Sequence, residues 1–360
     1  ASDPERNPTD GITRKSFLQA AMGMMSLGLA GLASGESQPQ DTGAEDELDD
    51  DTGGNDLILT DAIVLTMDDK RRAMNSGYVW IRGGRIHRVG PMAELGDTPA
   101  GATRRSLSGC LLMPGLVNCH THLSNGLLRG IYDEMPLKVW FSKGMWPVLE
   151  ALDGTTAETA AELALLELLS MGVTTVATSE IGTVNADMPD GVLTALERSG
   201  MRAVMSRITF DSGDNSAPSQ FIPEPYQEKP ATAVAEVRRL QRRYNSSRIA
   251  VGPEALGVLR STPDMVRAMH KLALDSDSHF TMHAASSPEE LKESKRRFGH
   301  GSIEEMERLG VLGPKTLLAH VIWVNDKEIG LLANRQTGVS HNPVSNAYYA
   351  SGIARLPELL

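Results

Sequence analysis

The fold of this 360-residue chain is decided by one stretch, Leu111-Leu112-Met113-Pro114-Gly115-Leu116-Val117-Asn118-Cys119-His120-Thr121-His122. Its apolar start is typical of a buried strand, and it closes on a His-x-His pair. Side chains two apart on a strand point to the same side, so His120 and His122 face one space. Two neutral imidazoles held together are ligands for a divalent metal, although the pair alone is a weak signal.

Downstream of this stretch, apolar segments typical of strands alternate with helical patterns. The strands are predicted at Leu111–Val117, Val173–Thr178, Met201–Ile208, Arg248–Gly252, Phe280–Ala284, Thr316–His320 and Gly338–His341. Helices are predicted at Ala157–Ser170, Pro263–Leu274, Ser302–Leu309 and Asp326–Ala333. This alternation predicts an α/β fold, a (β/α)8 TIM-type barrel over residues 111–360. Only seven strands are found, so we expect the barrel to be truncated before strand 8, which would lie beyond Leu360.

Short β-rich runs precede the barrel. Tyr78–Arg82, Gly83-Gly84 and Arg85–Val89 have the pattern of a hairpin with a tight turn. We expect residues 57–110 to form a small antiparallel sheet, the N-terminal part of a β-sandwich.

The first 56 residues have no pattern of a folded core. Arg14-Lys15 stands ahead of a weak apolar run, Phe17–Leu32, that is short for a membrane span. Residues 1–35 resemble a twin-arginine signal peptide with lysine at the second position, and the alternative is an amphipathic helix. We therefore expect export to the periplasm or the extracellular space, with no stable membrane insertion after signal removal. Residues 36–56 are predicted to be an acidic, disordered linker.

Composition excludes several classes of protein. Apolar residues make up 41% and charged residues 22% of the chain, a globular balance. The net charge of −11 argues against nucleic-acid binding through a basic surface. The two cysteines, Cys110 and Cys119, are too few for a disulfide scaffold, and we expect both to be buried. We expect a small-molecule substrate and leave a homo-oligomer open.

Further histidines stand where other predicted strands end. His283, His320 and His341 close the fifth, sixth and seventh strands. In a parallel barrel these ends meet at one mouth, where barrel active sites lie. Five histidines at the ends of four strands are hard to attribute to packing, so the sequence predicts a metal site there.

At this point the sequence resembles a known family. Met113–His122, Leu318-Ala319-His320 and Ser340–Asn346 are similar to motifs of the amidohydrolase superfamily. They resemble the branch of methylthioadenosine/adenosylhomocysteine deaminases, guanine and cytosine deaminases and triazine chlorohydrolases. The resemblance covers roughly residues 57–360.

The resemblance implies a metal-dependent hydrolase of carbon–nitrogen bonds other than peptide bonds. His120, His122 and His283 would hold one divalent metal ion, zinc or alternatively iron, and His320 would be catalytic beside the activated water. The reaction would deaminate or ring-open a nitrogen heterocycle or a cyclic amide or amidine. The alternatives are a hydrolytic dehalogenase of the chlorohydrolase type and a catalytically silent metal-binding homologue.

Two positions depart from the family pattern. Ser286 stands where the family's deaminases carry a glutamate that shuttles a proton to the ring nitrogen, and serine is no general acid near neutral pH. Glu254 stands where the nucleoside deaminases carry histidine. We predict that Glu254 supplies the lost carboxyl function. The alternatives are binding of a cationic substrate and an ion pair with an arginine. Glu289 and Glu290 fit an exposed helix start.

Four further residues are candidates for substrate binding. Arg207 ends the third strand, where relatives keep an arginine for an anionic part of the substrate. Glu180 ends the second strand, and His341 ends the seventh. Glu150 resembles a ribose-binding glutamate but is displaced by one residue.

Overall fold

The structure is a computed structural model that describes residues 56–130, 139–212 and 222–360. The predicted signal peptide and nearly all of the predicted acidic linker lie outside the described residues and stay predictions. The chain divides into two compact units. One contains Met74–Leu111 with the segment that ends at Val64, and the other contains Leu65–Ala73 and Leu112–Leu360.

The first unit is built on a five-stranded sheet with the order β3-β2-β1-β4, in which β5 also pairs with β1. Its strands are β1 (Leu57–Leu65), β2 (Ala73–Arg82), β3 (Arg85–Pro91), β4 (Thr103–Ser106) and β5 (Leu111–Leu112). The predicted hairpin is confirmed, since β2 and β3 are antiparallel and the turn glycines have φ of 54° and 67°. Because β1 and β4 run parallel, the sheet is mixed, and the prediction of a purely antiparallel sheet was wrong. The β-sandwich stays a prediction.

The second unit contains a seven-stranded parallel sheet in sequential order. Its strands are β6 (Leu116–Thr121), β7 (Val173–Ile181), β8 (Arg202–Thr209), β9 (Ile249–Ala255), β10 (Phe280–Ala284), β11 (Thr316–His320) and β12 (Gly338–Ser340). The predicted alternation is confirmed. One boundary was wrong, because the predicted first strand is divided: Leu111–Leu112 belongs to the other sheet, and β6 begins only at Leu116.

The sheet curls until strands far apart in its order meet. The ring of His120 on β6 lies 4.8 Å from that of His283 on β10 and 5.5 Å from that of His320 on β11, centroid to centroid. The parallel strands therefore form a nearly closed barrel of the TIM type. The eighth strand stays a prediction.

Helices follow the strands along the chain, as predicted. They are α1 (Trp146–Ala151), α2 (Gly154–Ser170), α3 (Met188–Ser199), α4 (Pro230–Tyr244), α5 (Pro263–Asp275), α6 (Pro288–Phe298), α7 (Ser302–Leu309), α8 (Asp326–Arg335), α9 (Pro343–Tyr348) and α10 (Leu356–Leu359). Shorter helical turns occur at Met92–Glu94, Leu123–Leu128, Trp140–Met145 and Glu224–Tyr226. No helix among the described residues combines the length and apolar character that crossing a bilayer requires.

Both cysteines are exposed, so the prediction that they are buried was wrong. Cys119 alternates with His120 along β6 and points to the opposite face of the strand. Cys110 lies in the segment just before β5.

Helices α2 and α3 approach each other so closely that one glycine is required between them. A Cβ atom on Gly191 of α3 would lie 2.0 Å from the carbonyl oxygen of Gly154 at the start of α2. Gly330 of α8 has open space around the same position. The two glycines therefore form a matched pair for testing this contact.

We expect Gly191→Ala to lower the free energy of unfolding by about 1–3 kcal/mol or more, because the helices must separate. Gly330→Ala should raise it by up to about 1 kcal/mol, since alanine is the better helix former. Urea denaturation of both variants measures the difference. Equal effects of the two substitutions would show that the close approach of α2 and α3 is not as described.

Candidate metal centre and active-site pocket

The His-x-His pair sits at the carboxyl end of β6. His120 is the penultimate residue of the strand, and His122 follows the strand with extended backbone. Their ring centroids are 5.0 Å apart, so the strand geometry brings both to one space as predicted. His122 Nδ1 donates a hydrogen bond of 2.6 Å to the carbonyl oxygen of Ser179 on β7. This bond fixes the proton on Nδ1 and leaves the Nε2 lone pair available.

Four imidazole rings meet at this mouth of the barrel. The ring centroid of His283 lies 4.8 Å from that of His120 and 5.5 Å from that of His122. The ring centroid of His320 lies 5.5 Å from that of His283. Ring nitrogens of His120, His283 and His320 come within 4.8 Å of one another. The structure thus brings together the predicted ligands and the predicted catalytic His320.

Burial keeps His120, His283 and His320 neutral. It lowers the pKa of His120, and the neighbouring histidines lower it further. Burial also lowers the pKa of His283 well below its usual range, again with the neighbouring histidines adding to the shift. The pKa of His320 is lowered by burial in spite of its hydrogen bond to Asn346. Neutral imidazoles have the lone pairs that metal binding requires.

The donor set fits a divalent metal ion. His283 Nδ1 and both carboxylate oxygens of Glu254 are buried without a well-aligned hydrogen-bond partner. The other groups of the cluster are imidazoles, which suit zinc and other borderline metal ions. His283 Nδ1 and Glu254 Oε1 lie 2.9 Å apart, so a proton on Nδ1 would serve both groups and leave the Nε2 lone pair of His283 for a cation.

Glu254 lies beneath the cluster instead of in the pocket. Its side chain is fully buried, and its Oε1 is 2.9 Å from His283 Nδ1. Burial raises its pKa to about 7, while Ser179 and the neighbouring histidines oppose the shift. The alternative of an arginine partner has no support among these contacts.

The backbone of His320 is strained. Its φ of 81° lies in the left-handed region, which costs a non-glycine residue about 1–3 kcal/mol. The next residue, Val321, also has positive φ, and its N–H donates to the carbonyl oxygen of Ala284 at 3.0 Å. His320 Nδ1 donates to Asn346 Oδ1 at 2.8 Å, which orients the ring. Strain of this kind is maintained where the surroundings fix a functional side chain.

Glu180 supports the loop that follows the His-x-His pair. It is fully buried, and its carboxylate accepts hydrogen bonds from the backbone N–H groups of Leu123 at 2.7 Å and Ser124 at 3.3 Å. Thr178 Oγ1 donates to the same carboxylate. Burial raises the pKa of Glu180, and the hydrogen bonds from Ser124 and Thr178 oppose this. Glu180 is therefore placed to hold the backbone beside His122.

Arg207 and Glu150 also lie apart from the pocket. The guanidinium of Arg207 is nearly fully buried and makes an ion pair of 2.6 Å with Glu228. It also donates to the carbonyl oxygen of Gly182 at 3.0 Å. Glu150 is exposed and accepts a hydrogen bond from the hydroxyl of Tyr226. Substrate binding by Arg207, Glu180 or Glu150 has no support in these contacts and stays a prediction.

His341 is the fifth strand-end histidine, and it is not part of the four-ring cluster. It lines a separate cavity of about 320 Å³ with residues that include Pro343 and Ile353. Its Nδ1 is buried without a hydrogen-bond partner. Its predicted contact with substrate is not seen in the main pocket.

The main pocket opens above the histidines and has a volume of about 370 Å³. One part of its wall is apolar and includes Trp140, Leu149, Ile181, Ile208 and Leu256. Its polar residues include Asn125, Arg260, Ser286, Asn342 and Tyr349.

The pocket also contains residues that the sequence patterns did not indicate, among them Arg260, Asn342 and Tyr349. Arg260 stands in the loop after β9, at the end of the barrel where active sites lie, and that position could have identified it. Asn342 lies inside the quoted motif Ser340–Asn346. Tyr349 lies shortly after that motif in the sequence, at the end of α9.

Ser286 and Glu290 form a second polar group in this region. Ser286 lines the pocket, and its Oγ donates to Glu290 Oε2 at 2.6 Å. Glu290 is only 7% exposed, so the prediction that it lies on an exposed helix start was wrong, whereas Glu289 is exposed as expected. Glu290 occupies the first turn of α6 but turns inward to the backbone after His283.

Two curated proteins that are similar to this chain are named as deaminases. It is 34% identical over 308 residues to a 5-methylthioadenosine/S-adenosylhomocysteine deaminase of Nitratidesulfovibrio vulgaris, an alignment that covers 85% of this chain and 66% of that protein. It is 32% identical to a 5'-deoxyadenosine deaminase of Methanothermobacter thermautotrophicus, covering 84% of this chain and 66% of the relative. The chain thus spans just under two thirds of the length of these relatives.

Solved structures share the fold. A triazine hydrolase from Arthrobacter aurescens superposes with a TM-score of 0.77 at 23% identity, covering 85% of this chain and 69% of that one. Guanine deaminase from C. acetobutylicum superposes with a TM-score of 0.74 at 20% identity, covering 85% and 72%.

The clearest evidence for the family of this chain lies in the barrel itself. Residues 111–360, which carry all four clustered histidines, match one family along their whole length. The geometry of the mouth and the similarity to the deaminases agree with that match. This chain belongs to the amidohydrolase family.

Proposed function

We propose that this protein is a metal-dependent hydrolase of carbon–nitrogen bonds other than peptide bonds, and that it deaminates or ring-opens a nitrogen heterocycle. The observation that carries the proposal is the meeting of four imidazole rings. Ring nitrogens of His120, His283 and His320 come within 4.8 Å of one another, and the ring centroid of His122 lies 5.0 Å from that of His120 and 5.5 Å from that of His283. The relatives from Nitratidesulfovibrio vulgaris and Methanothermobacter thermautotrophicus support it, because both are named as deaminases.

In this proposal His120, His122 and His283 hold the metal ion, and zinc is the ion that we propose. A bound divalent ion supplies the activation of water for attack on an electron-poor carbon. His320 faces the same space with its Nδ1 proton committed to Asn346. Its Nε2 lone pair is therefore directed to accept a proton or a hydrogen bond beside the reacting carbon.

Glu254 acts through His283 in this arrangement. Its contact with Nδ1 favours the tautomer that carries its proton there, which leaves Nε2 as the ligand atom. Because Glu254 is fully buried below the pocket, its position does not support the predicted transfer of a proton to substrate. We propose that it is a positioning residue.

We expect His120→Ala to remove the bound metal together with all hydrolytic activity, since its ring lies between those of His122, His283 and His320. Metal content per chain, measured by elemental analysis after dialysis, tests this. His341→Ala is the matched control, because His341 lies outside the cluster, and it should keep about one metal ion per chain. Stoichiometric metal in purified His120→Ala would refute the assignment.

We expect Glu254→Gln to weaken metal affinity by about 10–100-fold, as substitutions of residues that orient metal ligands do. Competition with a chelator measures this affinity. The control is Glu328→Gln, which removes another buried carboxylate, at the start of α8, and should leave metal affinity unchanged. Full metal affinity with a collapsed kcat in Glu254→Gln would instead support the predicted proton-transfer role.

Export is proposed on the sequence alone, from Arg14-Lys15 ahead of the apolar run Phe17–Leu32. Replacing both basic residues with glutamine should retain the protein in the cytoplasm, because the twin-basic pair directs this kind of export. Fractionation of cells that express the full gene product, followed by immunoblotting, measures the distribution. Unchanged export of the variant would contradict a twin-arginine signal.

A further inference from the structure

The side chain at position 286 has a fixed orientation. Ser286 Oγ donates its proton to Glu290 Oε2 at 2.6 Å, and the backbone N–H of Ser286 donates to the same oxygen at 2.8 Å. Glu290 Oε1 accepts from the N–H of Ala285, also at 2.8 Å. Ala285 has a φ of 49°, so the buried carboxylate holds a left-handed turn directly after β10.

This orientation decides what Ser286 can offer to a ligand. A hydroxyl has one proton and two lone pairs, whereas a carboxylate has only acceptors. Because the proton of Ser286 is committed to Glu290, the hydroxyl presents lone pairs to the pocket that it lines. Ser286 can therefore accept a hydrogen bond from a ligand N–H, but it has no proton to give to a bare ring nitrogen.

A donor lies on the same side of the pocket. Arg260 also lines the pocket, and burial lowers the pKa of its guanidinium while the charge of Glu290 opposes that shift. A Cβ atom on Gly257 would lie 3.8 Å from Arg260 Nη1 and 3.3 Å from the carbonyl oxygen of His283, so the guanidinium lies near the end of β10 that Ser286 follows. A guanidinium offers only donors, which suit a carbonyl oxygen.

We propose that Ser286 and Arg260 together select a heterocycle that carries a ring N–H next to a carbonyl, and disfavour rings with a bare nitrogen at that place. Glu290 is the positioning residue of the pair, because it takes the proton of Ser286. The proposal rests on the proposed function and adds the substrate class. The proposed substrate class differs from that of relatives whose names specify adenosine derivatives.

Two small compounds that differ in this feature test it. 9-Methyladenine and 9-methylisoguanine share a purine ring and the same amino group, but isoguanine has a carbonyl at C2 and an N–H at N1. We expect the full-length, zinc-loaded protein to bind 9-methylisoguanine about 10–100-fold more tightly, because an unmatched buried polar group has a cost of that size. Calorimetry gives both dissociation constants, and kcat/KM for release of ammonia gives the same comparison in turnover.

Equal binding of the two compounds, or a preference for 9-methyladenine, overturns the proposal. Such a result from a protein that holds zinc and releases ammonia leaves the proposed function intact. Failure of the proposed function has a different signature, since the purified protein would then hold no metal, or would hold metal and hydrolyse neither compound. The two failures are therefore distinguishable.

Variants assign the preference to the named residues. Ser286→Ala removes the acceptor and should reduce the preference to about twofold or less, while an unchanged preference overturns the role of Ser286. Arg260→Ala should weaken binding of 9-methylisoguanine and leave that of 9-methyladenine nearly unchanged. Equal losses for both compounds would overturn the role of Arg260.

Glu290→Gln distinguishes the proposed orienting role from a merely structural one, because only the orienting role affects the preference between the two compounds. The amide of glutamine can donate to Ser286 Oγ, which frees the serine proton for the pocket, so the preference should shift toward 9-methyladenine. Glu289→Gln is the matched control, because Glu289 is the exposed neighbour and should change neither preference nor metal content. If Glu290→Gln does not fold, the Ser286→Ala and Arg260→Ala results decide the question.

Discussion

Four imidazole rings face one another at the mouth of a parallel barrel, and the rest of the site is arranged around that contact. The rings come from three strands and the residue after one of them, with centroid distances between 4.8 and 5.5 Å. Lone pairs pointed at a common space repel one another, and burial removes the water that would separate them. A divalent cation resolves this conflict, and the low pKa of His120 and His283 keeps the ligands ready for it.

Three buried carboxylates maintain the arrangement without reaching the reacting atoms. Glu180 accepts hydrogen bonds from the backbone after His122, and Glu290 accepts them from the backbone after His283. Glu254 contacts the ring of His283 itself. Each carboxylate thus fixes one strand end that carries a ligand.

The pocket departs from the pattern that the resemblance implies at Ser286, three residues after the proposed ligand His283. A serine whose proton is held by Glu290 cannot replace a glutamate as an acid, but it changes which ligand atoms are tolerated. Arg260 adds hydrogen-bond donors to the same pocket. Serine at position 286 removes an acid–base group, and Ser286 and Arg260 together provide an acceptor and a donor. In our proposal this pair changes the substrate class, while the histidine cluster that would bind the metal is unchanged.

The sequence by itself determined the parallel alternation of strands and helices and the meeting of His120, His122, His283 and His320, because strand periodicity and the common direction of the strands place those ends together. The sequence did not determine which carboxylates are buried.

Glu290 was predicted at an exposed helix start, and Glu180 and Arg207 were predicted in the pocket. A local pattern does not show that a side chain turns inward, or that its partner lies 21 to 57 residues away. His341 ended its strand as predicted yet lines another cavity. Only tertiary packing decided these placements, because each depends on a partner that is distant in the chain.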